Sequence, residues 1–242
     1  MTTLDFSRRS SLDELMDTER VGFEEFRACL IDLARVNVLT FAHRPTLAFL
    51  DRIVAAGLPV GRPLEIVDVG SGYGDLLREV ARWASTRGIP VSLTGVDLNP
   101  WAAKAAAEAT PAGLPIRWAT DDIFAFDRPS GIDVVTSSLF THHLPDRLVV
   151  QFLRWMTQRT KLGWFINDLH RHPVPYHFFR HWSKLASWHR FVQHDGPVSI
   201  ARAFKPADWR GLLGEAGVDP ATVEIRRRFP FRVTVGKLAA AP

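Results

Sequence analysis

The stretch Leu64–Asp75, with the sequence LEIVDVGSGYGD, decides the fold of this chain. It begins as a short apolar run and then places glycine at positions 70, 72 and 74. A short apolar run that ends in glycine is typical of a buried strand, and apolar residues then recur at helical spacing over 76–84. The glycines therefore predict a tight turn between a strand and a helix. Because such a turn exposes bare backbone at the carboxyl end of a parallel strand, it also predicts a ligand site.

The motif that begins at Asp68 distinguishes two classes of nucleotide-binding protein. A dinucleotide-binding turn has the pattern G-x-G-x-x-G and would need glycine where Asp75 stands, whereas this chain has D-x-G-x-G-x-G. That run resembles the first motif of the class I S-adenosylmethionine-dependent methyltransferases. The resemblance implies that Asp68 helps to hold the polar groups of the cofactor. It also implies a turn beside the methionine part of the cofactor, formed by Gly70, Ser71, Gly72 and Gly74.

Two further acidic positions follow in the order that the resemblance implies. The predicted strand 91–97 ends in Asp97, whose carboxylate can accept hydrogen bonds from both ribose hydroxyls of an adenosine. After the next short strand, Asp122 is expected to accept from the adenine amino group, with Asp121 as the fallback. Taken alone, these carboxylates could equally be a helix cap or solvated turn residues. The resemblance adds three neighbouring cofactor contacts, at Leu98, Ile123 and Ser138.

Composition bounds the remaining possibilities. The chain has 242 residues, 46% of them hydrophobic, which is enough for one substantial core. Its net charge of +4 is too mild to indicate a nucleic-acid partner. No apolar run approaches the ~20 residues that span a bilayer, and the single cysteine, Cys29, excludes a disulfide framework. We therefore expect a cytoplasmic protein with a small-molecule substrate, no nucleic-acid partner and no transmembrane segment.

The remaining elements predict an α/β fold. Helices from Leu12 onward precede the first strand, buried strands then alternate with helices, and two alternating runs, 222–228 and 231–238, close the chain as antiparallel strands. This pattern resembles the Rossmann-like fold of the same family, a seven-stranded, mostly parallel sheet with an antiparallel last strand and helices on both faces. The predicted units are an N-terminal helical cap, residues 1–60, and a methyltransferase domain, residues 61–242.

Histidines follow the fourth and fifth predicted strands, where they would meet the cofactor crevice. The run from Phe140, FTHHLP, resembles the His-His-Leu-Pro segment of small-molecule methyltransferases, whose histidines line the cofactor cleft. His142 or His143 could take a proton from a phenol as a general base, or could only line the cleft. Asp168 and His170 are the second pair of catalytic candidates. Because the histidine spacing fits no zinc motif, no metal is expected.

An aromatic-rich insertion, about residues 170–204, follows the fifth strand. Its aromatic side chains, interleaved with arginine and lysine, fit either a lid over the substrate or a patch for a dimer partner or a membrane surface. A homodimer is thus one alternative. Asn37 and His43 of the cap either reach the site or only cap and solvate helix ends. Substrate contacts are expected from six residues: Asn37, His43, Phe140, His172, Tyr176 and Phe179.

Together these features predict an S-adenosylmethionine-dependent methyltransferase of secondary metabolism. The expected reaction is direct in-line transfer to an oxygen of an aromatic, phenol- or quinol-like, or lipid-like acceptor, with S-adenosylhomocysteine as the product. Three alternatives stay open. They are a C- or N-methyltransferase of a natural-product intermediate, a catalytically silent methyltransferase-like partner subunit, and an NAD-dependent oxidoreductase, which Asp75 and the terminal hairpin disfavour.

Overall fold

The computed structural model describes residues 5–128 and 131–239. Residues 1–4, 129–130 and 240–242, which belong to the two predicted units, lie outside the described residues. One sheet contains the strands β1 (Leu64–Val69), β2 (Val91–Asp97), β3 (Ile116–Thr120), β4 (Ile132–Ser138), β5 (Thr160–Leu169), β6 (Glu224–Arg228) and β7 (Arg232–Leu238). Their order is β3-β2-β1-β4-β5-β7-β6. The first five strands run parallel, and β7 pairs antiparallel with both β5 and β6. The predicted sheet is therefore confirmed.

Helices pack on both faces of this sheet. They are α1 (Leu15–Thr18), α2 (Phe23–Leu39), α3 (Arg44–Ala56), α4 (Asp75–Thr86), α5 (Pro100–Glu108), α6 (Asp146–Arg159), α7 (Pro173–Leu185), α8 (Arg190–Arg202) and α9 (Pro206–Glu215). Ile66 of β1 packs in a cluster with α3 and α4, whereas the adjacent Val67 packs with α6 and α9. This alternation follows from the two-residue period of a strand. Within the described ranges, no helix is both long and apolar enough to cross a membrane.

The N-terminal helix is shorter than the sequence predicts. Helix α1 has only four residues, and the chain is extended at Glu19 before α2 begins. The Asp195 carboxylate of α8 accepts hydrogen bonds from the backbone N–H groups of Leu15 at 2.7 Å and Met16 at 3.0 Å. These two donors have no partner within a helix, so the carboxylate caps α1 and attaches it to α8. The helical spacing of apolar residues from Leu12 onward gives no indication of this contact with a distant part of the chain.

The glycine turn after β1 is closely packed as well as sharply bent. Gly74, the N-cap of α4, has a φ of 74°, and a Cβ there would lie 2.1 Å from the Trp118 indole of β3. A Cβ on Gly95, in the middle of β2, would lie 2.3 Å from the same indole. At Gly70, a Cβ would lie 2.5 Å from the Phe140 ring. Aromatic side chains therefore occupy the space that larger residues at these positions would need.

Replacing Gly95 with Ala is expected to lower the free energy of unfolding by about 1–3 kcal/mol, because the added methyl group would overlap the Trp118 ring in a packed region. Gly211→Ala is the matched control. Nothing lies within 4 Å of a Cβ at this position in α9, so alanine should raise the free energy of unfolding by about 0.5–1 kcal/mol. Urea denaturation measures both changes, and a Gly95→Ala protein as stable as the wild type would contradict the packing argument.

Candidate active site

A cavity of about 630 Å³ lies at the carboxyl ends of β1, β4 and β5. This volume is within the range of small-molecule sites. Most of its lining is apolar and comes from α2, α7, α8 and the β6–β7 connection. Apart from Asp195, which holds α1, its charged and histidine side chains form three groups. They are Asp68, Asp75 and His43 near the glycine turn, Glu14, His142 and His143 after β4, and Arg232 at the start of β7.

The first group centres on Asp68, a buried residue near the end of β1. Its Oδ1 accepts a hydrogen bond from the Thr136 hydroxyl at 2.7 Å. Burial, together with the neighbouring charges of Asp75 and Asp97, raises the pKa of Asp68 to about 7. The backbone of the glycine turn lines the same part of the cavity. An ammonium group bound there would favour the ionised form of Asp68.

Asp75, the first residue of α4, binds both polar residues that were proposed from the cap. Asn37 Nδ2 donates to Asp75 Oδ2 at 3.0 Å, and His43 Nε2 lies 3.1 Å from the same oxygen. Although burial raises the pKa of Asp75, these partners hold it below its usual value. Asn37 and His43 line the cavity and make no side-chain caps at their own helix ends. Both side chains therefore reach the candidate site, and their contact with a substrate stays a prediction.

The acidic residues predicted for ribose and adenine are not part of the cavity lining. Asp97 Oδ2 accepts the Gly72 N–H at 2.9 Å, which joins the end of β2 to the glycine turn. Burial raises the pKa of Asp97. Asp121 and Asp122 are exposed, and Asp122 Oδ1 accepts the Phe124 N–H at 3.0 Å as a turn residue. Of the three added contacts, Leu98 is exposed, Ile123 packs in the core and Ser138 lines the cavity.

Asp168, at the end of β5, orients the first histidine of the pair. It is fully buried and accepts hydrogen bonds from the Thr141 hydroxyl and, at 3.0 Å, from the His142 backbone N–H. Its Oδ1 lies 2.7 Å from His142 Nδ1. Although burial raises the pKa of Asp168, these partners lower it to about 2. Because an ionised Asp168 can only accept hydrogen bonds, His142 Nδ1 carries a proton and donates to Oδ1, which leaves Nε2 as the ring nitrogen that can exchange a proton.

The second histidine has carboxylate partners from the N-terminal segment. His143 Nδ1 lies 2.9 Å from Asp17 Oδ2, and the Nε2 atoms of His142 and His143 each lie 3.8 Å from an oxygen of the buried Glu14. Burial lowers the pKa of His143, but the hydrogen bond to Asp17 and the charges of Glu14 and Asp17 raise it to about 9. His143 is therefore protonated at neutral pH.

Glu14, His142 and His143 also form the one group of three among the described residues that could supply ligands to a metal ion. Their ligand atoms all lie within 4.8 Å of one another. The Arg202 guanidinium lies 3.8 Å from Glu14 Oε1 and already provides a positive charge at this point. A metal ion would have to compete with Arg202 and with the proton of His143. The expectation that no metal binds remains a prediction.

His170 and His172 do not reach the cavity. His170 forms a β-bridge with Phe204, and burial together with nearby positive charges lowers its pKa to about 4. His172 is the N-cap of α7, where its Nδ1 accepts the Val174 N–H at 3.2 Å. His172 also stacks on Phe231, with 5.8 Å between the ring centroids. A role in positioning the turn after β5 fits both residues better than contact with a substrate.

Among the predicted aromatic contacts, Phe179 lines the cavity and the other two do not. Phe179 packs against Trp182 and Trp188, so it belongs both to the lining and to a small core between α7, α8 and α2. Tyr176 packs edge-on against Phe6, and Phe140 covers Gly70. The insertion therefore forms one wall of the cavity through α7 and α8.

Four charged residues at the site were missed by the sequence analysis: Glu14, Asp17, Asp75 and Arg232. Asp75 directly follows the glycine turn, so its position was a usable signal. Glu14 and Asp17 reach the histidine pair only because α1 packs on α8, which no local pattern indicates. Arg232 belongs to a strand whose first five residues are all buried. The alternation of buried and exposed residues that marks a half-exposed strand is therefore absent there, and it could not indicate that Arg232 faces the cavity.

Part of the chain is similar in sequence to known methyltransferases. Residues 66–163 match the family model described as a methyltransferase domain. Over 85 residues the chain is 34% identical to 2-methyl-6-phytyl-1,4-hydroquinone methyltransferase of Synechocystis sp. (strain ATCC 27184 / PCC 6803 / Kazusa). That alignment covers 35% of this chain and 25% of the relative. The chain thus aligns with a quarter of the length of this relative.

Solved structures share the architecture at low sequence identity. Human N-acetylserotonin methyltransferase in complex with S-adenosylmethionine is 16% identical, with 91% of this chain and 57% of that chain covered and a TM-score of 0.62. Magnesium protoporphyrin IX methyltransferase from Synechocystis PCC 6803, with bound S-adenosylmethionine, is also 16% identical, with 96% and 100% covered and a TM-score of 0.56. The predicted resemblance is confirmed. Residues 66–163 match the methyltransferase-domain model, and the chain has the fold of the class I S-adenosylmethionine-dependent methyltransferases.

Proposed function

We propose that this protein transfers a methyl group from S-adenosylmethionine to an oxygen of a small, largely apolar acceptor, with phenol- and quinol-like molecules as the preferred class. One observation carries the proposal: the glycine turn, the histidine pair and the apolar walls line a single continuous cavity. The methyl group and the acceptor oxygen can therefore be aligned within one cavity. The hydroquinone methyltransferase with 34% identity over 85 residues supports the acceptor class.

The chain offers a complementary group for each polar part of the cofactor. Asp68 and Asp75 beside the glycine turn suit the ammonium group, and the lack of side chains on the glycines allows close approach to the turn. Asp97 suits the ribose hydroxyls, with its two oxygens now accepting the backbone N–H groups of Gly72 and Asn99. Asp122, with Asp121 as the alternative, is proposed for the adenine amino group. The sulfonium of the bound cofactor supplies an already activated methyl group, so the protein mainly binds and aligns the reactants.

Of the two histidines, His142 is the better general base. Asp168 holds its Nδ1 and thereby leaves Nε2 to accept a proton from a phenol, whose unperturbed pKa is about 10. His143 already carries a proton at neutral pH because Asp17 and Glu14 stabilise it. Asp168 is then a positioning residue that orients His142, in the manner of the carboxylate in other histidine–carboxylate pairs.

The apolar walls favour an acceptor with a large hydrophobic body. Val174, Phe178 and Trp182 of the insertion line the cavity opposite side chains of α2. Because Phe178 is 61% exposed and Val174 55% exposed, part of this wall faces solvent when no ligand covers it. A substrate lid therefore accounts for the aromatic insertion better than a purely structural helix pair does.

The first test is calorimetric titration of the full chain with S-adenosylmethionine, S-adenosylhomocysteine and NAD, run side by side. We expect micromolar binding of the first two ligands and none of NAD. A screen of phenols and quinols with mass spectrometry of the products then identifies the methylated atom. Absence of binding by both methyl-cycle ligands would reject the proposal, and transfer only to carbon or nitrogen would reject the O-methylation part of it.

Replacing Asp97 with Ala is expected to abolish binding of S-adenosylhomocysteine at micromolar concentrations. The substitution removes two acceptors for the ribose hydroxyls, and hydrogen bonds to a charged group contribute about 1.5–3 kcal/mol each. Asp127→Ala, which removes an exposed partner of Arg159, is the control and should leave the affinity unchanged. Retained micromolar affinity in the Asp97→Ala protein would contradict the ribose assignment.

The affinity for S-adenosylhomocysteine should fall at acidic pH. Because the pKa of Asp68 is raised to about 7, the residue is protonated below neutrality, and binding of an ammonium group then requires loss of that proton. The association constant should therefore decrease about tenfold between pH 6.5 and pH 5.5 and level off above pH 7. Calorimetry across this range measures the effect. An Asp68→Asn protein should bind more weakly with little pH dependence, whereas an unchanged slope in that variant would assign the titration to another group.

Replacing His142 with Ala is expected to lower kcat for a phenolic acceptor by about 10²–10⁴-fold, which is the usual contribution of a general base. The affinity for S-adenosylhomocysteine should change little, because His142 is not assigned to the cofactor. His172→Ala is the matched control, since that ring caps α7 away from the cavity. Equal kcat values for His142→Ala and the wild type would contradict the general-base role and would show that His142 only lines the cavity.

A further inference from the structure

Arg232 is a buried cation with an incomplete set of partners. It is the first residue of β7, is only 3% exposed and lines the cavity. Its Nη2 donates to the Thr40 hydroxyl at 2.9 Å. Its Nε and Nη1 are buried and have no hydrogen-bond partner among the described residues. Burial lowers its pKa to about 10, so the guanidinium still carries its charge at neutral pH.

The other fully buried arginine, Arg171, provides an internal comparison. Its Nε donates to the Phe6 carbonyl at 3.2 Å, its Nη1 to the Ala203 carbonyl at 2.6 Å and its Nη2 to the Ser7 carbonyl at 3.2 Å. Its Nη1 also lies 3.0 Å from Asp208 Oδ2. Every nitrogen of that guanidinium is satisfied, as is usual for a buried charge. Arg232 departs from this rule at the cavity wall.

The nearest electrostatic support for Arg232 within the described residues is the charge of Asp168. That carboxylate is already occupied by the Thr141 hydroxyl, the His142 ring and backbone, and the Leu169 N–H. A guanidinium presents a planar fork of donors that matches a carboxylate, and such pairs are among the stronger hydrogen bonds in proteins. A ligand carboxylate would therefore supply the missing hydrogen-bond acceptors for Arg232 Nε and Nη1.

Two ligands of the proposed reaction could supply a carboxylate, the cofactor and the acceptor. Arg232 is paired with Leu169 of β5, and the glycine turn follows β1. Strands β4 and β5 lie between β1 and β7, so three strand spacings of about 4.8 Å each separate the two positions, roughly 14 Å. The apolar walls at Phe229 and Phe231 directly precede Arg232. These positions favour the acceptor end of the cavity.

We propose that Arg232 binds a carboxylate of the methyl acceptor, which is therefore an acidic amphiphile with an apolar body. This inference rests on the proposed function for the identity of the acceptor. An acceptor of this class would bury its apolar body against α2, α7 and the β6–β7 connection while its anion accepts hydrogen bonds from the two Arg232 nitrogens that have no partner among the described residues. Neutral analogues of the same shape would leave that cation desolvated and unpaired, so the site would select against them.

The test uses 6-hydroxy-2-naphthoate and its neutral methyl ester as probes, titrated calorimetrically into the full chain with and without saturating S-adenosylhomocysteine. The wild type should bind the acid at least about tenfold more tightly than the ester, as expected for a charge-assisted hydrogen bond. Arg232→Met should abolish this preference while changing the affinity for the ester less than about twofold. No preference in the wild type, or an undiminished preference in the variant, would overturn the proposal.

Two further variants separate binding from structure. Arg232→Lys keeps a charge without the planar fork and should retain part of the preference, and it replaces the Met variant if that protein does not fold. Phe229→Ala removes an exposed apolar wall and should weaken acid and ester equally. Because Arg232→Met removes a buried charge without a full set of partners, its melting temperature should equal or exceed that of the wild type. A markedly lower melting temperature, together with equal affinities of the wild type for acid and ester, would show a structural role only and overturn the assignment.

A cofactor arm distinguishes the two sources of carboxylate. The ratio of affinities for S-adenosylhomocysteine and its decarboxylated analogue should be the same in the wild type and in Arg232→Met. A ratio that collapses in the variant would assign Arg232 to the cofactor and overturn the acceptor proposal. If neither compound bound to the wild type, the proposed function would fail, while the comparison of acid and ester would still test the anion site.

Discussion

The structure of the site depends on how the fold accommodates charges buried at the carboxyl edge of the sheet. Asp168 is the clearest case, because it is fully buried and yet ionised. A buried carboxylate is tolerated only when several donors satisfy it. Here the donors come from the turn after β4, so that satisfying Asp168 also fixes the position of Thr141 and His142. The geometry of His142, the proposed general base, is thus a consequence of charge burial in the neighbouring strand.

The same principle extends to the N-terminal segment, which completes the site from a distant part of the chain. Arg9 donates to the backbone carbonyls of His142 and Leu144, each at 3.0 Å, and its guanidinium lies over the Phe204 ring. Helix α1 is held by Asp195 and brings Glu14 and Asp17 against the histidine pair. Loss of this segment would therefore alter the proton affinity of His143 as well as expose the cavity.

The extent to which sequence predicted the molecule follows from the range of the interactions involved. The sheet, the glycine turn and the closing hairpin were predictable because strand and helix periodicities and glycine positions are local signals, and the order of acidic residues follows from the order of strands. The contents of the cavity depend on packing between distant segments. The roles of Asp75 and Arg232 and the carboxylates beside His143 could not be derived from periodicity. Conversely, His170 and His172 follow β5 as predicted, but neither residue is part of the cavity lining.

Two ionisable residues that line the cavity, Asp68 and Arg232, have fewer hydrogen-bond partners than the buried Asp133 outside it. Outside it, the buried Asp133 accepts two hydrogen bonds from Arg62 and one from the Glu65 N–H, and its pKa is lowered. Inside it, Asp68 has one side-chain partner and a raised pKa, and Arg232 leaves two guanidinium nitrogens without partners. Such groups lower the stability of the free protein and are compensated by ligands of opposite charge, so binding should stabilise the fold by linkage. Because Asp68 favours a cationic ligand group and Arg232 an anionic one, the cavity is electrostatically matched to ligand groups of both signs rather than to a single neutral ligand.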